Sequence, residues 1–186
     1  MKLTGLAHKL AAEVLAEGGT AIDATAGNGQ DTAYLAKLVG EKGRVLAIDI
    51  QPLAVATTKT RLGSEGVAAR CDVRVADHAD LAQLAAPLEG KVDCIIFNLG
   101  YLPGSDHSLT TRPITTGKAL RAALGLVRPG GRIVCVAYTG HPGGEDESET
   151  VETFGTSCEE AGHTVARIGR EPGTGRPWIL CVTKMP

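Results

Sequence analysis

The chain has 186 residues, of which 43% are hydrophobic, enough for one compact domain with a buried core but not for a separate substrate domain. Its formal net charge of −2 gives no general attraction to nucleic acid, so any RNA contact has to be local. The absence of a long apolar run and of a signal peptide predicts a cytoplasmic protein without a membrane span. Five scattered cysteines indicate reduced thiols rather than disulfides or a metal site.

The first elements in the chain are a helix over residues 4–16 and a strand over Thr20–Asp23. A glycine-containing turn follows, with the sequence DATAGNGQDT from Asp23 to Thr32, and it leads into a second helix. Gly27 and Gly29 allow positive φ and a close approach of the backbone to a ligand, and the helix N-terminus adds hydrogen-bond donors. The turn therefore predicts a nucleotide-cofactor site.

The second strand, over residues 45–49, ends in Asp49, a position from which a carboxylate can bind both hydroxyls of a ribose. A dinucleotide-binding turn would have a third glycine where Thr32 stands. Carboxylates near the turn favour a cationic ligand over a pyrophosphate. S-adenosyl-L-methionine, which carries an ammonium and a sulfonium, fits these residues better than NAD.

The rest of the chain predicts five more strands, and helical stretches, including residues 52–62 and 116–127, separate the first five strands of the chain. This alternation predicts a parallel sheet with helices on both faces. The loop between the last two strands is too short for a helical crossover, so we expect them to pair antiparallel. These five strands lie at residues 73–76, 92–97, 132–137, 163–168 and 178–183.

This pattern is the α/β fold of class I methyltransferases: a Rossmann-like, seven-stranded, mostly parallel sheet with an antiparallel C-terminal hairpin and helices on both faces. We expect residues 1–186 to form a single S-adenosylmethionine-dependent methyltransferase domain. A non-catalytic or NAD-binding Rossmann domain is the alternative that Thr32 and the terminal hairpin disfavour.

The loop after the fourth strand reads FNLGYLPG and begins with Phe97 and Asn98. It resembles the (Asn/Asp)-Pro-Pro-(Tyr/Phe) segment of amino-directed methyltransferases, with Leu99 and Gly100 in place of the prolines. The Asn98 carbonyl can accept a hydrogen bond from a target amine, and Tyr101 offers a flat face to a base. The alternative is a turn rich in Gly and Pro that has only a structural role.

Four strings, DATAGNGQDT, AIDIQ, FNLGYLPG and TGHPGG, occur in this order across nearly the whole chain. Together they resemble the bacterial tRNA (5-aminomethyl-2-thiouridine) methyltransferases, a family formerly labelled putative rRNA methylases. The resemblance implies N-methylation of the 5-aminomethyl group of (2-thio)uridine at the tRNA wobble position, with S-adenosyl-L-methionine as cofactor and the anticodon region of tRNA as substrate. Methylation of rRNA or of a small-molecule amine stays open as an alternative.

The resemblance also implies roles for individual residues. Asn98 and Tyr101 would face the target nitrogen as catalytic residues. From the residues themselves, we expect the substrate to be bound by Arg112 at its phosphates and by Tyr101, with Tyr138 or His141, stacking on a flipped-out base. In the family, more small polar residues are expected where Arg112 and Pro113 stand. The cofactor would be bound by Asp23, Ala26, Gly27, Asn28, Gly29, Asp31, Thr32, Asp49, Gln51, Asp77, His78 and Asn98.

The remaining charged and titratable residues give weaker indications of function. An acidic run at residues 145–149 indicates the first turn of a helix rather than a metal site, and no metal is expected. The sequence is compatible with a homodimer. His78, His107 and His141 are candidate proton acceptors, and none is favoured by the sequence. Basic residues that either contact RNA phosphates or act as solubilising charge are Arg112, Lys118, Arg121, Arg167, Arg170 and Arg176.

Overall fold

The computed structural model describes residues 3–100 and 111–186. Within them, seven strands form one sheet: β1 (Thr20–Asp23), β2 (Arg44–Asp49), β3 (Cys71–Val75), β4 (Val92–Leu99), β5 (Val127–Ala137), β6 (Thr164–Ile168) and β7 (Trp178–Thr183). Their spatial order is β3-β2-β1-β4-β5-β7-β6. Strands β1 to β5 pair in parallel, whereas β7 runs antiparallel to both β5 and β6. The predicted mostly parallel sheet with an antiparallel hairpin is thus confirmed.

The helices cover both faces of the sheet, so the central strands are buried on both sides. Residues Cys94 to Phe97 of β4, for example, have no exposed surface. One apolar cluster joins Ile22 and Phe97 to Leu120 and Phe154, and the other packs Leu35 against the opposite face. The helices are α1 (Leu3–Ala12), α2 (Gln30–Val39), α3 (Pro52–Ser64), α4 (Leu81–Leu84), α5 (Pro113–Leu126) and α6 (Gly144–Glu160). Among these described helices, none combines the length and apolar character needed to cross a bilayer.

Most element boundaries differ from the sequence prediction by a few residues, and two of them differ most. Helix α1 ends at Ala12, before the predicted end at residue 16, because the chain turns there and buries Leu15 in the core. Strand β5 begins at Val127 rather than at residue 132. Residues 128–131, predicted as a stop between helix and strand, form a bulge in β5, where the register shifts between the pairs Val92↔Val127 and Cys94↔Arg132.

The strand order reverses between β1 and β4, since β2 and β3 lie on one side of β1 while β5 lies beyond β4. In open parallel sheets, ligands bind in the crevice outside the carboxyl ends of the strands at this reversal. The predicted glycine turn follows β1, and the Asn98 segment ends β4. The fold therefore brings both sequence motifs to the same crevice.

Candidate functional site

A cavity of about 750 Å³ opens at the carboxyl ends of β1, β2, β4 and β5. It is lined by the loops that follow these strands and β3, by the first turns of α1, α2 and α5, and by the loop before β7. Eleven of the predicted site residues line it: Ala26, Gly27, Asn28, Asp31, Asp49, Gln51, Asp77, His78, Asn98, Arg112 and His141.

Three predicted cofactor residues, Asp23, Gly29 and Thr32, do not line this cavity. Asp23 and Thr32 are completely buried behind the turn, where the Asp23 carboxyl accepts hydrogen bonds from the Thr32 hydroxyl at 2.5 Å and the Thr25 amide at 3.2 Å. Burial, with a further contribution from the negative charge of Asp31, raises the pKa of Asp23 to about 7. This carboxyl therefore joins the end of β1 to the first turn of α2 instead of facing a ligand.

The glycine turn is held from outside by α3. The Thr58 hydroxyl donates to the Gly27 carbonyl at 2.9 Å, and Arg61 Nε donates to the Asn28 carbonyl at 2.7 Å. At Gly29, where φ is +77°, a Cβ would lie 2.9 Å from Thr58 Cα. Helix α3 approaches the backbone closely here, and this contact requires a glycine at position 29. Of the two glycines of the turn, Gly27 lines the cavity and Gly29 does not.

Asp49 lies between two loops at the end of β2. Its Oδ2 accepts a hydrogen bond from the Gly27 amide at 2.8 Å, and its Oδ1 accepts one from the Gln51 amide at 2.9 Å. Each carboxylate oxygen can accept a further bond from a ligand. Ile50, which stands between Asp49 and Gln51 in the chain, is 60% exposed and presents an apolar side chain at the cavity wall.

Asp77 and His78 form the wall that follows β3. Asp77 Oδ1 accepts the Ala79 amide at 2.8 Å, which fixes the turn, and the His78 ring packs edge-on against Phe97 with centroids 6.3 Å apart. Burial lowers the pKa of His78 below its ordinary 6.5, although Asp77 and Asp49 act in the opposite direction. The imidazole is therefore neutral at neutral pH. Its buried Nε2 has no hydrogen-bond partner within the described part of the chain.

Asn98, near the end of β4, is held by the loop after β1 and by the first turn of α2. Its backbone amide donates to Thr25 Oγ1 at 2.7 Å, and its side-chain Nδ2 donates to Asp31 Oδ2. The other Asp31 oxygen lies 2.6 Å from Nε2 of His8. The donor end of the Asn98 amide is thus occupied, whereas its buried Oδ1 has no partner among residues 3–100 and 111–186. A buried acceptor in this state fits a ligand that donates an N–H bond.

On the substrate side, the predicted contact Tyr101 and the candidate proton acceptor His107 lie outside the described residues. The segment that contains them starts after Gly100, which has φ of +139° and approaches the loop after β5 closely. A Cβ at Gly100 would lie 3.3 Å from Tyr138 Cβ and 3.5 Å from His141 Nε2. Tyr138 and His141 therefore form the part of the cavity wall nearest to the end of β4.

The two flanks of that segment, Gly100 and Thr111, are hydrogen-bonded directly to each other, and Glu147 in the first turn of α6 supports the pair. The Gly100 amide donates to Thr111 Oγ1 at 2.9 Å, and this hydroxyl donates to Glu147 Oε2 at 2.6 Å. The Thr116 hydroxyl donates to the other oxygen, Oε1, at 2.5 Å. Glu147 is only 1% exposed, so one member of the predicted acidic first turn faces inward. A signal for this was present, because Glu147 shares a helical face with the apolar Val151.

The basic residues divide into paired and unpaired groups. Those of the terminal hairpin, Arg167, Arg170 and Arg176, form ion pairs with the glutamates 149, 152, 159 and 171. Lys118 lies 3.5 Å from Asp80 at the surface. Within the described residues, Arg112 and Arg121 form no ion pair, and no group of three side chains could hold a metal ion. Arg112 is the basic residue that lines the cavity.

Among the remaining lining residues, the sequence assigned a role only to Tyr138, as a candidate for stacking on the base. Most of the others are small or lie in loops whose path depends on long-range packing, such as Thr4 at the start of α1 and Pro177 before β7. The remaining lining residues are Thr4, Ala24, Thr25, Gln30, Ile50, Ala76, Leu99, Gly100, Thr111, Thr115, Tyr138, Thr139, Gly140, Gly175 and Pro177. The four strings contain eight of them, namely Ala24, Thr25, Gln30, Ile50, Leu99, Gly100, Thr139 and Gly140.

Comparison with known proteins identifies close structural relatives. The crystal structure of a "putative rRNA-methylase" from Clostridium thermocellum is 36% identical with a TM-score of 0.92, and the match covers 100% of this chain and 98% of that one. A methyltransferase from Streptococcus mutans in complex with SAH is 28% identical with a TM-score of 0.85, covering 100% and 99%. The fold is therefore that of S-adenosylmethionine-dependent methyltransferases, and S-adenosylmethionine is supported as the cofactor.

Sequence comparison gives the same relationship. A chloroplastic tRNA (mnm(5)s(2)U34)-methyltransferase of Arabidopsis thaliana is 40% identical over 163 residues, which are 83% of this chain and 59% of the plant protein. The chain thus spans about three fifths of the length of that curated relative. The profile of the family described as "Putative rRNA methylase" matches residues 45–184. The chain therefore belongs to this family of methyltransferases.

Proposed function

We propose that this chain transfers a methyl group from S-adenosylmethionine to the 5-aminomethyl group of (2-thio)uridine at the wobble position of tRNA. The observation that carries this proposal is Asn98, which lines the cavity together with Asp49 and whose buried Oδ1 has no hydrogen-bond partner among the described residues. The name and 40% identity of the Arabidopsis relative support tRNA as the substrate.

The cavity residues fit the cofactor. Asp49 would accept hydrogen bonds from the ribose hydroxyls, and His78 Nε2 would complete its hydrogen bonding at the adenine. The Gly27–Asn28 turn and the Asp31 carboxylate would hold the cationic methionine end. When bound, S-adenosylmethionine supplies an electrophilic methyl group on a sulfonium, which is already a good leaving group. Positioning is therefore the main task left to the protein.

The amine requires a free lone pair before it can react. An alkylammonium titrates near about 10, so most of the free substrate is charged at neutral pH. An enclosed site disfavours the charged form by desolvation. Asn98 Oδ1 would then accept one N–H of the neutral amine and direct its lone pair towards the methyl group.

The base and its flanking phosphates would be bound at the mouth of the cavity. Tyr138 is 38% exposed there and lies next to His141, and Arg112 adds a cation with no ion pair among the described residues. Tyr101 is proposed to stack on the base. These contacts are local, in agreement with the slightly negative net charge of the chain.

The test is methyl transfer to tRNA that carries the aminomethyl group, with the same tRNA lacking it as the matched control. We expect nucleoside mass spectrometry to find the methylated product only with the first tRNA. Equal methylation of both tRNAs would contradict the wobble-uridine assignment. The family description favours rRNA as a second candidate, so ribosomal RNA is included as a third substrate, and its preferential methylation would establish that alternative.

A further inference from the structure

Helix α1 contacts the cavity residues through the side chain of His8. Nε2 of His8 lies 2.6 Å from Asp31 Oδ1, and because an ionised carboxylate only accepts hydrogen bonds, the ring nitrogen donates. The His8 ring stacks on Tyr34 of α2 with centroids 3.8 Å apart and an angle of 5° between planes. The Tyr34 hydroxyl donates to the His8 carbonyl at 3.2 Å. Tyr34 therefore fixes both the ring and the backbone of His8.

Asp31 transmits this constraint to Asn98. One carboxylate oxygen accepts from His8, and the other accepts from Asn98 Nδ2. The terminal torsion of an aspartate is soft, so a carboxylate that loses one of its two partners can rotate. Rotation would remove the acceptor that fixes the Asn98 amide.

The orientation of this amide decides what an amine meets in the cavity. In the structure Asn98 Nδ2 donates to Asp31, and the buried Oδ1 accepts no hydrogen bond from any residue that the structure describes. A reversed amide would present an N–H donor to the N–H groups of the amine, which is a repulsive arrangement. The hydrogen bond from Asn98 Nδ2 to Asp31 thus favours the amide orientation in which Oδ1 can accept from the amine.

We infer that His8 is a positioning residue for the methyl-transfer reaction: it fixes Asp31, and Asp31 fixes Asn98 with its carbonyl available to the amine. This inference rests on the proposed role of Asn98. It adds helix α1, which precedes the residues matched by the family profile, to the functional part of the molecule.

The test compares His8→Ala with His8→Gln, which keeps an N–H donor at the end of the side chain. Lys9→Ala, an exposed change on the same helix, is the matched control. We expect His8→Ala to lower kcat for aminomethyl-tRNA by about tenfold to a hundredfold, as misplacement of a reacting group does. KM for tRNA should change by less than about threefold, and His8→Gln should recover most of kcat, because only the orienting donor is exchanged.

A second measurement does not depend on turnover. The side-chain amide resonance of Asn98, assigned by its loss in Asn98→Asp, should shift in His8→Ala and stay near its wild-type position in His8→Gln and Lys9→Ala. An unshifted resonance in a folded His8→Ala protein would overturn the inference, as would an unchanged kcat. If the wild-type chain fails to methylate the tRNA while the resonance shifts as expected, the proposed substrate is wrong and the link between His8 and Asn98 stands.

Discussion

Asp49 Oδ2 accepts a hydrogen bond from the Gly27 amide at 2.8 Å, so the carboxylate proposed to bind the ribose also holds the glycine turn in place. Cofactor affinity and turn geometry therefore depend on the same side chain. Because Asp49 Oδ1 bonds the Gln51 amide in the same way, the carboxylate connects the loops after β1 and β2.

Asp49→Ala should weaken binding of S-adenosylmethionine by at least tenfold. Hydrogen bonds to a charged group contribute roughly 1.5–3 kcal/mol each, and two such bonds to the ribose would be lost. Asp49→Asn, which keeps one acceptor, should bind with intermediate affinity. Isothermal titration calorimetry measures both, and circular dichroism checks the fold. An Ala variant that binds as tightly as wild type would exclude Asp49 from the cofactor site.

Gly29→Ala should destabilise the fold, because the new Cβ would meet Thr58 at a residue with φ of +77°. We expect a loss of about 1–3 kcal/mol in the free energy of unfolding. The control is Gly63→Ala in α3, where a Cβ meets nothing within 4 Å. That change should be neutral or stabilising by up to about 1 kcal/mol. Urea unfolding compares the two, and equal stabilities would contradict the close approach at Gly29.

Asp23 predicts a pH dependence of stability. Its pKa is raised from 3.8 to about 7 in the folded state, so the folded protein binds the proton more tightly than the unfolded chain does. The stabilising effect of that proton is complete below the unfolded pKa and is lost as pH rises towards 7. Relative to Asp23→Asn, wild-type stability should fall over this interval by at most about 1.4 kcal/mol per pH unit. If the free energies of unfolding of the two proteins change with pH in the same way, the Asp23 pKa is not shifted in the folded state.

Glu147→Leu should destabilise the protein by several kcal/mol, because the buried hydroxyl of Thr116 and the part-buried hydroxyl of Thr111 would lose their acceptor at about 1–3 kcal/mol each. Glu147→Gln should cost less, since a hydroxyl can accept as well as donate. Glu145→Ala, an exposed change in the same helical turn, is the control and should be nearly neutral. Thermal unfolding measures all three, and a Leu variant as stable as the control would contradict a role for Glu147 in joining these threonines.

Asn98→Ala should lower the rate of methyl transfer by about a hundredfold or more, as the loss of a preorganised hydrogen-bonding group does. SAH binding should weaken much less than the rate does, because the main proposed role of Asn98 is to orient the amine. Tyr101→Ala should weaken RNA binding by about 1–3 kcal/mol, whereas Tyr101→Phe should bind RNA nearly as well as wild type if stacking matters. Single-turnover kinetics and calorimetry separate these effects, and an Asn98→Ala enzyme with a wild-type rate would remove Asn98 from the reaction.

The sequence predicted the fold because its signals are local. Strands end in polar residues such as Asp49 and Asn98, and the short loop before Trp178 leaves no room for a crossover helix. The position of a side chain relative to the cavity depends on distant packing instead. Asp23 lies in the same turn as Gly27, yet it faces the core, and the partner that explains Gly29 is Thr58 on another helix.

The hydrogen bonds between Gly100 and Thr111 join the two ends of the connection between β4 and α5. The Gly100 amide donates to Thr111 Oγ1 at 2.9 Å, and the Thr111 amide donates back to the Gly100 carbonyl at 3.3 Å. Glu147 supports this pair, because its carboxylate accepts a hydrogen bond from the Thr111 hydroxyl. The connection from β4 to α5 therefore leaves and returns at one point of the cavity wall, because Gly100 and Thr111 both line the cavity.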